Sequence, residues 1–151
     1  MGHTQVKIMS ENEREHPIYL YSHYGSGGQI LRDIAIAFES KPPMLKNYEY
    51  LARIIFSRMI RFDIEGHTNY GIGTHMHGDL DEFIVVDTAS ERVHIISEYS
   101  PTDMDDADSG DYSGCTSLSF NDFTTYFLEF ESKPKPPSNY APKRIPFETQ
   151  V

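Results

Sequence analysis

The sequence predicts an α+β protein in which an antiparallel sheet carries two main helices packed on one face. Segments rich in β-branched and aromatic residues precede and follow two amphipathic segments with helical spacing. Strands and helices do not alternate one by one, as they would in a doubly wound fold. The expected order is β-β-α-α-β-β-β-(α), in a single domain over residues 1–132, with residues 133–151 as a Pro-rich extended tail.

The first 40 residues supply two strands and a helix. Thr4 to Met9 alternates Val6 and Ile8 with polar residues, which is typical of a strand. Pro17 to His23 is rich in β-branched and aromatic residues and predicts a second strand, paired with the first. The glycine-rich YGSGG sequence ends that strand, and Gln29 to Ser40 follows with an apolar helical stripe.

The rest of the domain begins with a second helix. Asn47 is a candidate N-cap for this helix, which is expected to run to about Arg61. The later predictions are a glycine-punctuated turn and short strand at Gly66–Gly73, strands at Phe83–Asp87 and Val93–Ser97, an acidic loop at Asp103–Gly114, and a helix in preference to a strand at Phe120–Phe130, with Ser119 as its cap.

Composition bounds the class of protein. No apolar run approaches the roughly 20 residues of a membrane helix, so no membrane partner is expected. The first residues, MGHTQVKIM, lack the basic flank and apolar region of a signal peptide. Cys115 is the single cysteine, which excludes an intramolecular disulfide and suits a reducing compartment. We therefore expect a cytoplasmic protein, with a homo-oligomer left open.

The charge is strongly negative. Lys and Arg number 13 against 23 Asp and Glu, for a net charge of −10. Because residues 133–151 carry four cations and one acid, residues 1–132 hold about −13. Such a body repels phosphate backbones at long range, which argues against ordinary nucleic-acid binding. A small phosphorylated ligand in a local pocket, or mimicry of DNA by an acidic surface, remains compatible with this charge.

The strongest local signal is a predicted strand that is followed by the sequence HYGSGG and then by a predicted helix. Amides of a glycine-rich turn at a helix N-terminus converge on one point, where the helix dipole favours an anion. The alternative is a plain strand-to-helix turn, since neither a Walker loop nor a full GxGxxG is present. The candidate ligand-binding residues are His23, Tyr24, Gly25, Ser26, Gly27, Gly28, Arg53, Tyr70 and Gly71.

Arg53 is the candidate cation of this site. A guanidinium in the apolar sequence YLARIIFSRMI requires a partner, because unpaired buried charge is costly. That partner is either a carboxylate, Asp33 or Asp87, or a ligand oxyanion. Arg58 and Arg61 are expected to be solvated helix ends.

Neither a metal nor a cofactor is expected. THMHGD matches the start of the THxHxDH zinc motif through His75, His77 and Asp79, but Leu80 stands where that motif needs histidine. Two histidines on alternate strand residues share one side, so an incidental metal site stays open. The aspartates of residues 103–114 lack the Gly and Glu that a calcium loop needs at its sixth and twelfth positions.

Several segments together resemble a family of short proteins, without an assigned activity, encoded in bacterial and tailed-phage genomes. The resemblance is carried by MGHTQ, IYLYSHYG, YEYLARIIFSRMI, NYGIGTHMHGD and FIVVD, and extends from Met1 to about Phe127. Tyr24 stands where the family has Trp, and Asn47-Tyr48-Glu49 replaces an Asp-containing lead into YLARIIF. The resemblance implies that the family-motif positions are His23, Tyr24, Gly25, Arg53, Tyr70, Gly71 and Asp87.

Three functions stay open at this stage. The preferred one is a binder of a small phosphorylated or nucleotide-like ligand, sequestering it in a phage counter-defence setting. The second is a protein-binding inhibitor or DNA mimic that uses the acidic surface. The third, an enzyme, is a small hydrolase or phosphodiesterase with His23 as acid–base and Arg53 stabilising charge.

Overall fold

A computed structural model describes residues 3–11, 16–23, 27–40, 46–66, 69–97 and 101–132. It confirms the α+β class and the order of the predicted elements, while the predicted Pro-rich tail lies outside the described residues. The elements are β1 (Thr4–Met9), β2 (Ile18–Ser22), α1 (Gly27–Glu39), α2 (Tyr48–Met59), β3 (Tyr70–Gly73), β4 (Glu82–Asp87), β5 (Arg92–Ser97), α3 (Pro101–Asp108), β6 (Thr116–Ser119) and α4 (Phe120–Ser132).

The strands form one sheet in the order β3-β2-β1-β4-β5-β6. Four of its pairings are antiparallel, as expected, and the central pairing of β1 with β4 is parallel. The sheet is therefore mixed rather than wholly antiparallel. The long connection between these two strands, which contains both main helices, permits a parallel pairing that a short hairpin cannot make.

Three helices cover one face of the sheet. α1 packs against both α2 and α4, and their apolar side chains share a core with alternate residues of the strands, including Val6, Leu20, Ile84 and Ile95. We call this side of the sheet the helix face. The expectation that the main helices pack on one face is confirmed, and Asn47 caps α2 by accepting hydrogen bonds from the amides of Glu49 and Tyr50.

The opposite face, which we call the α3 face, carries a second and smaller core. Met104 and Ala107 of α3 pack there with Phe83, Val85 and Ile96. The predicted loop at Asp103–Gly114 is therefore wrong over its first half, where the chain is helical as far as Asp108. The helix was hidden in the sequence because aspartates outnumber the apolar residues that tie it to the sheet.

Packing of α3 also buries the polar side of β1. Lys7 is 7% exposed, and its ammonium donates to the Asp108 carbonyl oxygen at 2.6 Å and pairs with its carboxylate at 3.2 Å. Tyr19 donates its hydroxyl proton to the same carboxylate at 2.6 Å. Because a buried ammonium must be paired, these contacts fix the end of α3 on the sheet. None of the helices in the described part of the chain has the length and apolar character that a membrane crossing requires.

Candidate functional site

The polar end of the sheet is the edge at which β2 ends and α1 begins. Strand register aligns Tyr70, Ser22, Thr4 and Glu82 in one row across four strands on the helix face. Thr4, Ser22 and Glu82 are almost completely buried there. Buried polar side chains are uncommon in cores, so this row is where the helix face of the sheet departs from simple apolar packing.

A carboxylate on α1 binds two arginines at this end. Asp33 is buried, and its Oδ1 accepts a hydrogen bond from Arg61 Nη1 at 2.8 Å, with Arg58 Nη2 at 3.9 Å. Gln29, one turn earlier, donates to the same oxygen at 3.3 Å. Arg61 Nη1 also donates to the Arg58 carbonyl oxygen at 2.5 Å. The end of α2 is thereby joined to the second turn of α1.

Burial and the arginines act in opposite directions on Asp33. Burial raises the pKa of Asp33, while Arg61 and then Arg58 lower it, and burial is the larger effect. Tyr70 lies near this cluster, and its pKa is raised mainly by burial and further by the charges of Asp63 and Asp33. The Tyr70 hydroxyl is therefore a neutral hydrogen-bond donor at neutral pH.

Solvent reaches the cations of the cluster more easily than the buried acid. The side chains of Arg58 and Arg61 are 34% and 29% exposed, against 2% for Asp33. Arg58 Nε is also buried without a hydrogen-bond partner among the described residues. A guanidinium has five N–H donors, so the single shared carboxylate oxygen leaves donor capacity unused. We call the group formed by Gln29, Asp33, Arg58, Arg61 and Tyr70 the arginine corner.

Two glycines of the YGSGG sequence lie at the start of α1. Gly27 and Gly28 form the first residues of α1, so the predicted helix N-terminus is present. Tyr24, Gly25 and Ser26 lie outside the described residues. Gly71 pairs with Tyr21 on the sheet edge, and a Cβ placed on Gly71 would meet nothing within 4 Å. The predicted site residues Gly27, Gly28 and Tyr70 therefore lie at the same end of the sheet.

Arg53 and His23 are not brought together. Arg53 is exposed on α2, whose buried residues pack on the helix face. His23 has its ring 4.4 Å from that of His3 and its Nδ1 3.2 Å from the Tyr21 hydroxyl, on the α3 face. The two side chains therefore lie on opposite sides of the sheet, which separates the proposed acid–base group from the proposed cation.

The predicted carboxylate partners of Arg53 have other roles. Asp33 pairs with Arg61 and Arg58, the two arginines expected to be solvated helix ends, so that expectation is wrong. Asp87 is buried and accepts from the amides of Glu11 and Ala89 at 3.0 Å each and from the Ser90 hydroxyl at 2.8 Å. It is a turn-capping carboxylate, since every one of these donors belongs to a neighbouring turn or strand end.

Aromatic and imidazole rings gather on the α3 face of the polar end. His77 stacks on Tyr21 with ring centroids 4.4 Å apart, and His3 Nδ1 lies 3.4 Å from Asp79 Oδ2. His75 and His77 follow β3 rather than alternating along a strand, which corrects the basis of the incidental metal site. Among the described residues, no group of three or more His, Cys, Asp or Glu side chains has an arrangement suited to a metal ion.

The fold and the corner define a small acidic α+β protein with two partly exposed guanidinium groups over a buried carboxylate. Comparison with protein-family models, with curated proteins and with solved structures found no match. One signal in the sequence could have identified the buried acid of this cluster, although not the arginines that pair with it. Asp33 lies among Leu31, Ile34 and Ala35 in a helix whose apolar stripe faces the core, so a buried acid in need of a cation could have been expected.

Proposed function

We propose that this chain binds a small phosphorylated ligand at the arginine corner and releases it unchanged. Nucleotides are the first class to test. The single observation that carries the proposal is the convergence of Arg58 and Arg61 on one oxygen of buried Asp33, with both guanidinium groups partly exposed. A phosphate group presents several acceptor oxygens and matches the planar fork of arginine.

The placement of α1 supports the same ligand. Its first turn has amides that no helical carbonyl accepts, and the positive end of its dipole lies near the corner. Tyr70 adds a neutral donor. The corner is not strongly positive overall, because Asp63 lies near Tyr70 and accepts a hydrogen bond from Asn69 at 2.8 Å. Recognition therefore depends on directed donors rather than on net charge.

A thermal-shift panel tests this proposal. The panel contains inorganic phosphate and nucleoside mono-, di-, tri- and cyclic phosphates, each with the matching unphosphorylated nucleoside. A ligand at a hundred times its Kd adds about 2.7 kcal/mol of stability. For a domain of this size that corresponds to an increase of roughly 5–10 °C in Tm. Mass spectrometry of the ligand recovered after denaturation separates binding from turnover, since a binder returns it intact.

Two arginines on one helix provide matched variants. Arg58→Gln removes a guanidinium of the corner, and Arg53→Gln makes the same chemical change at an exposed position of α2. We expect Arg58→Gln and Tyr70→Phe to reduce the ligand-induced shift and Arg53→Gln to retain it. If Arg53→Gln abolishes the shift while Arg58→Gln leaves it unchanged, the corner is not the site. If no phosphorylated compound changes Tm, the proposed function is wrong.

A second candidate function has one observation in its favour. The acidic segment is ordered as α3, in which Asp105 and Asp106 are exposed while Met104 and Ala107 are buried. An ordered row of carboxylates can bind a basic protein surface or mimic a phosphate backbone. Replacing both Asp105 and Asp106 with Lys should then abolish capture of a basic partner, whereas binding at the arginine corner would be unaffected.

A further inference from the structure

The segment that follows α2 presents apolar side chains to solvent. Phe62 is 89% exposed and Ile64 is 71% exposed, and they alternate with Asp63 and Glu65. Ile72, on the edge strand β3, is a further exposed apolar residue, at 67%. We call residues 62–65 the Phe62 surface. Single exposed apolar residues are ordinary, but two large ones two positions apart in one short segment give an apolar surface that a partner can cover.

Residues 143–147 have the complementary pattern. Their sequence, KRIPF, joins two cations to Ile145 and Phe147, while the Phe62 surface, FDIE, joins two acids to two apolar residues. The whole segment 133–151 carries four cations and one acid, against about −13 for the rest of the chain. Opposite charges of this size favour association of the segment with the domain.

The end of α4, which precedes this segment in the chain, can be placed from the packing of α4. Phe38, near the end of α1, has its ring 4.3 Å from that of Phe120 and 5.7 Å from that of Phe123. α4 therefore begins beside the end of α1, and the extensive contact between the two helices carries it back towards the start of α1. Because both helices have 13 residues, the end of α4 lies at the polar end of the sheet.

The distance to the Phe62 surface is short enough for the segment to cross. The Arg61–Asp33 contact of 2.8 Å puts the end of α2 against the second turn of α1. Passing from α4 over α1 to α2 covers two helix spacings, roughly 16–20 Å in total. The twelve residue-to-residue steps from Lys133 to Ile145 span about 37 Å in an extended polyproline conformation.

We propose that residues 143–147 of the chain bind the Phe62 surface of the same molecule, with Ile145 and Phe147 against Phe62 and Ile64 and the two cations facing Asp63 and Glu65. We assign residues 143–147 to this surface because they combine the required cations and apolar side chains, and because the chain that connects them to α4 is long enough. The Phe62 surface adjoins the arginine corner, because the Arg61 guanidinium lies over the Phe62 ring, 4.8 Å from its centre. The test below contains no phosphorylated ligand, so the two proposals can fail separately.

Tryptophan fluorescence tests the proposal directly, because the chain contains no tryptophan. Phe147→Trp places a single reporter in the binding segment, and Ser138→Trp places one in the connecting segment as the matched control. We expect Phe147→Trp to emit at shorter wavelength and to be quenched by acrylamide several-fold less than Ser138→Trp. Equal emission and equal quenching of the two proteins would overturn the proposal.

Surface substitutions identify the binding partner of the reporter. In the Phe147→Trp protein, Phe62→Ser with Ile64→Ser should shift emission to the wavelength of the Ser138→Trp control, whereas Tyr50→Ser, at another exposed apolar residue, should not. All three positions are exposed, and circular dichroism checks that each variant folds. If the Phe62 and Ile64 substitutions leave the emission wavelength unchanged, the reporter does not bind this surface. A blue shift that appears only as protein concentration rises would contradict binding within one molecule.

Discussion

Replacement of Arg61 should show how much the arginine corner contributes to the free energy of unfolding. In Arg61→Ala, buried Asp33 loses its 2.8 Å partner and keeps Gln29 at 3.3 Å and Arg58 at 3.9 Å. Breaking a buried ion pair from one side costs about 3–5 kcal/mol. Since Arg61 is 29% exposed and Arg58 remains close, we expect a loss of about 2–3 kcal/mol in the free energy of unfolding at pH 7.

The stability lost in Arg61→Ala should depend on pH, and the pKa of Asp33 sets the direction of that dependence. Burial raises the pKa of Asp33, and Arg61 is the largest influence opposing that rise, so its removal raises the pKa further. A carboxyl group with a raised folded pKa costs stability when ionised, and protonation removes that cost. The difference between Arg61→Ala and the parent should therefore be largest at neutral pH. It should shrink as pH falls through the raised pKa towards the ordinary carboxyl value near 4.

Urea denaturation at pH 7 and pH 5 measures both effects, with Arg53→Ala as the matched control on the same helix. Asp33→Asn in the Arg61→Ala background should recover part of the lost stability, because it removes the unpaired charge. The reasoning fails if Arg61→Ala costs no more than Arg53→Ala. It also fails if the double variant is less stable than Arg61→Ala alone at pH 7.

Other regions of the fold give further predictions. Burial lowers the pKa of His94 to about 4. The contribution of His94 to the free energy of unfolding should therefore be constant above about pH 6.5 and fall by up to about 3 kcal/mol as the pH decreases to about 4. His94→Phe should flatten this slope in acid titrations followed by circular dichroism. Asn47→Ala should lower the urea unfolding free energy by about 1 kcal/mol, and Asn47→Asp should not. Asp108→Ala, which removes the ion pair to Lys7, should cost about 2–3 kcal/mol by the same measurement, against about 0.5 kcal/mol or less for exposed Asp106→Ala.

The strands could be predicted because their local signals agree with their environment. β1, β4 and β5 match the expected segments to within a residue, since β-branched residues and burial coincide there. α3 and β6 were missed for different reasons. Aspartates outnumber the residues of α3 that contact the sheet, and the four residues of β6 acquire a strand conformation by pairing with β5. Tertiary contact supplies what local propensity lacks in both cases.

The candidate site shows a sharper limit of sequence reasoning. Arg53, the arginine expected to need a partner, is exposed on α2, while the pairing of Asp33 depends on how α1 and α2 pack. One sequence does not specify which turn of one helix meets which turn of its neighbour. Arg61 lies just beyond α2, where a solvated side chain is the ordinary expectation, and only the packing of two helices places it over a buried acid.

The sign of the salt effect on association separates the two proposed functions. A phosphorylated ligand must approach a domain of about −13, so added salt screens long-range repulsion and should raise its association rate constant. A basic protein that binds α3 is attracted by the same field, and salt should lower its association rate constant. Between 0.01 and 0.15 M ionic strength the Debye length falls from about 30 to about 8 Å, which is less than the size of the domain. Stopped-flow association over this range should therefore give slopes of opposite sign, and an anionic ligand whose association slows with salt would contradict approach through the acidic field.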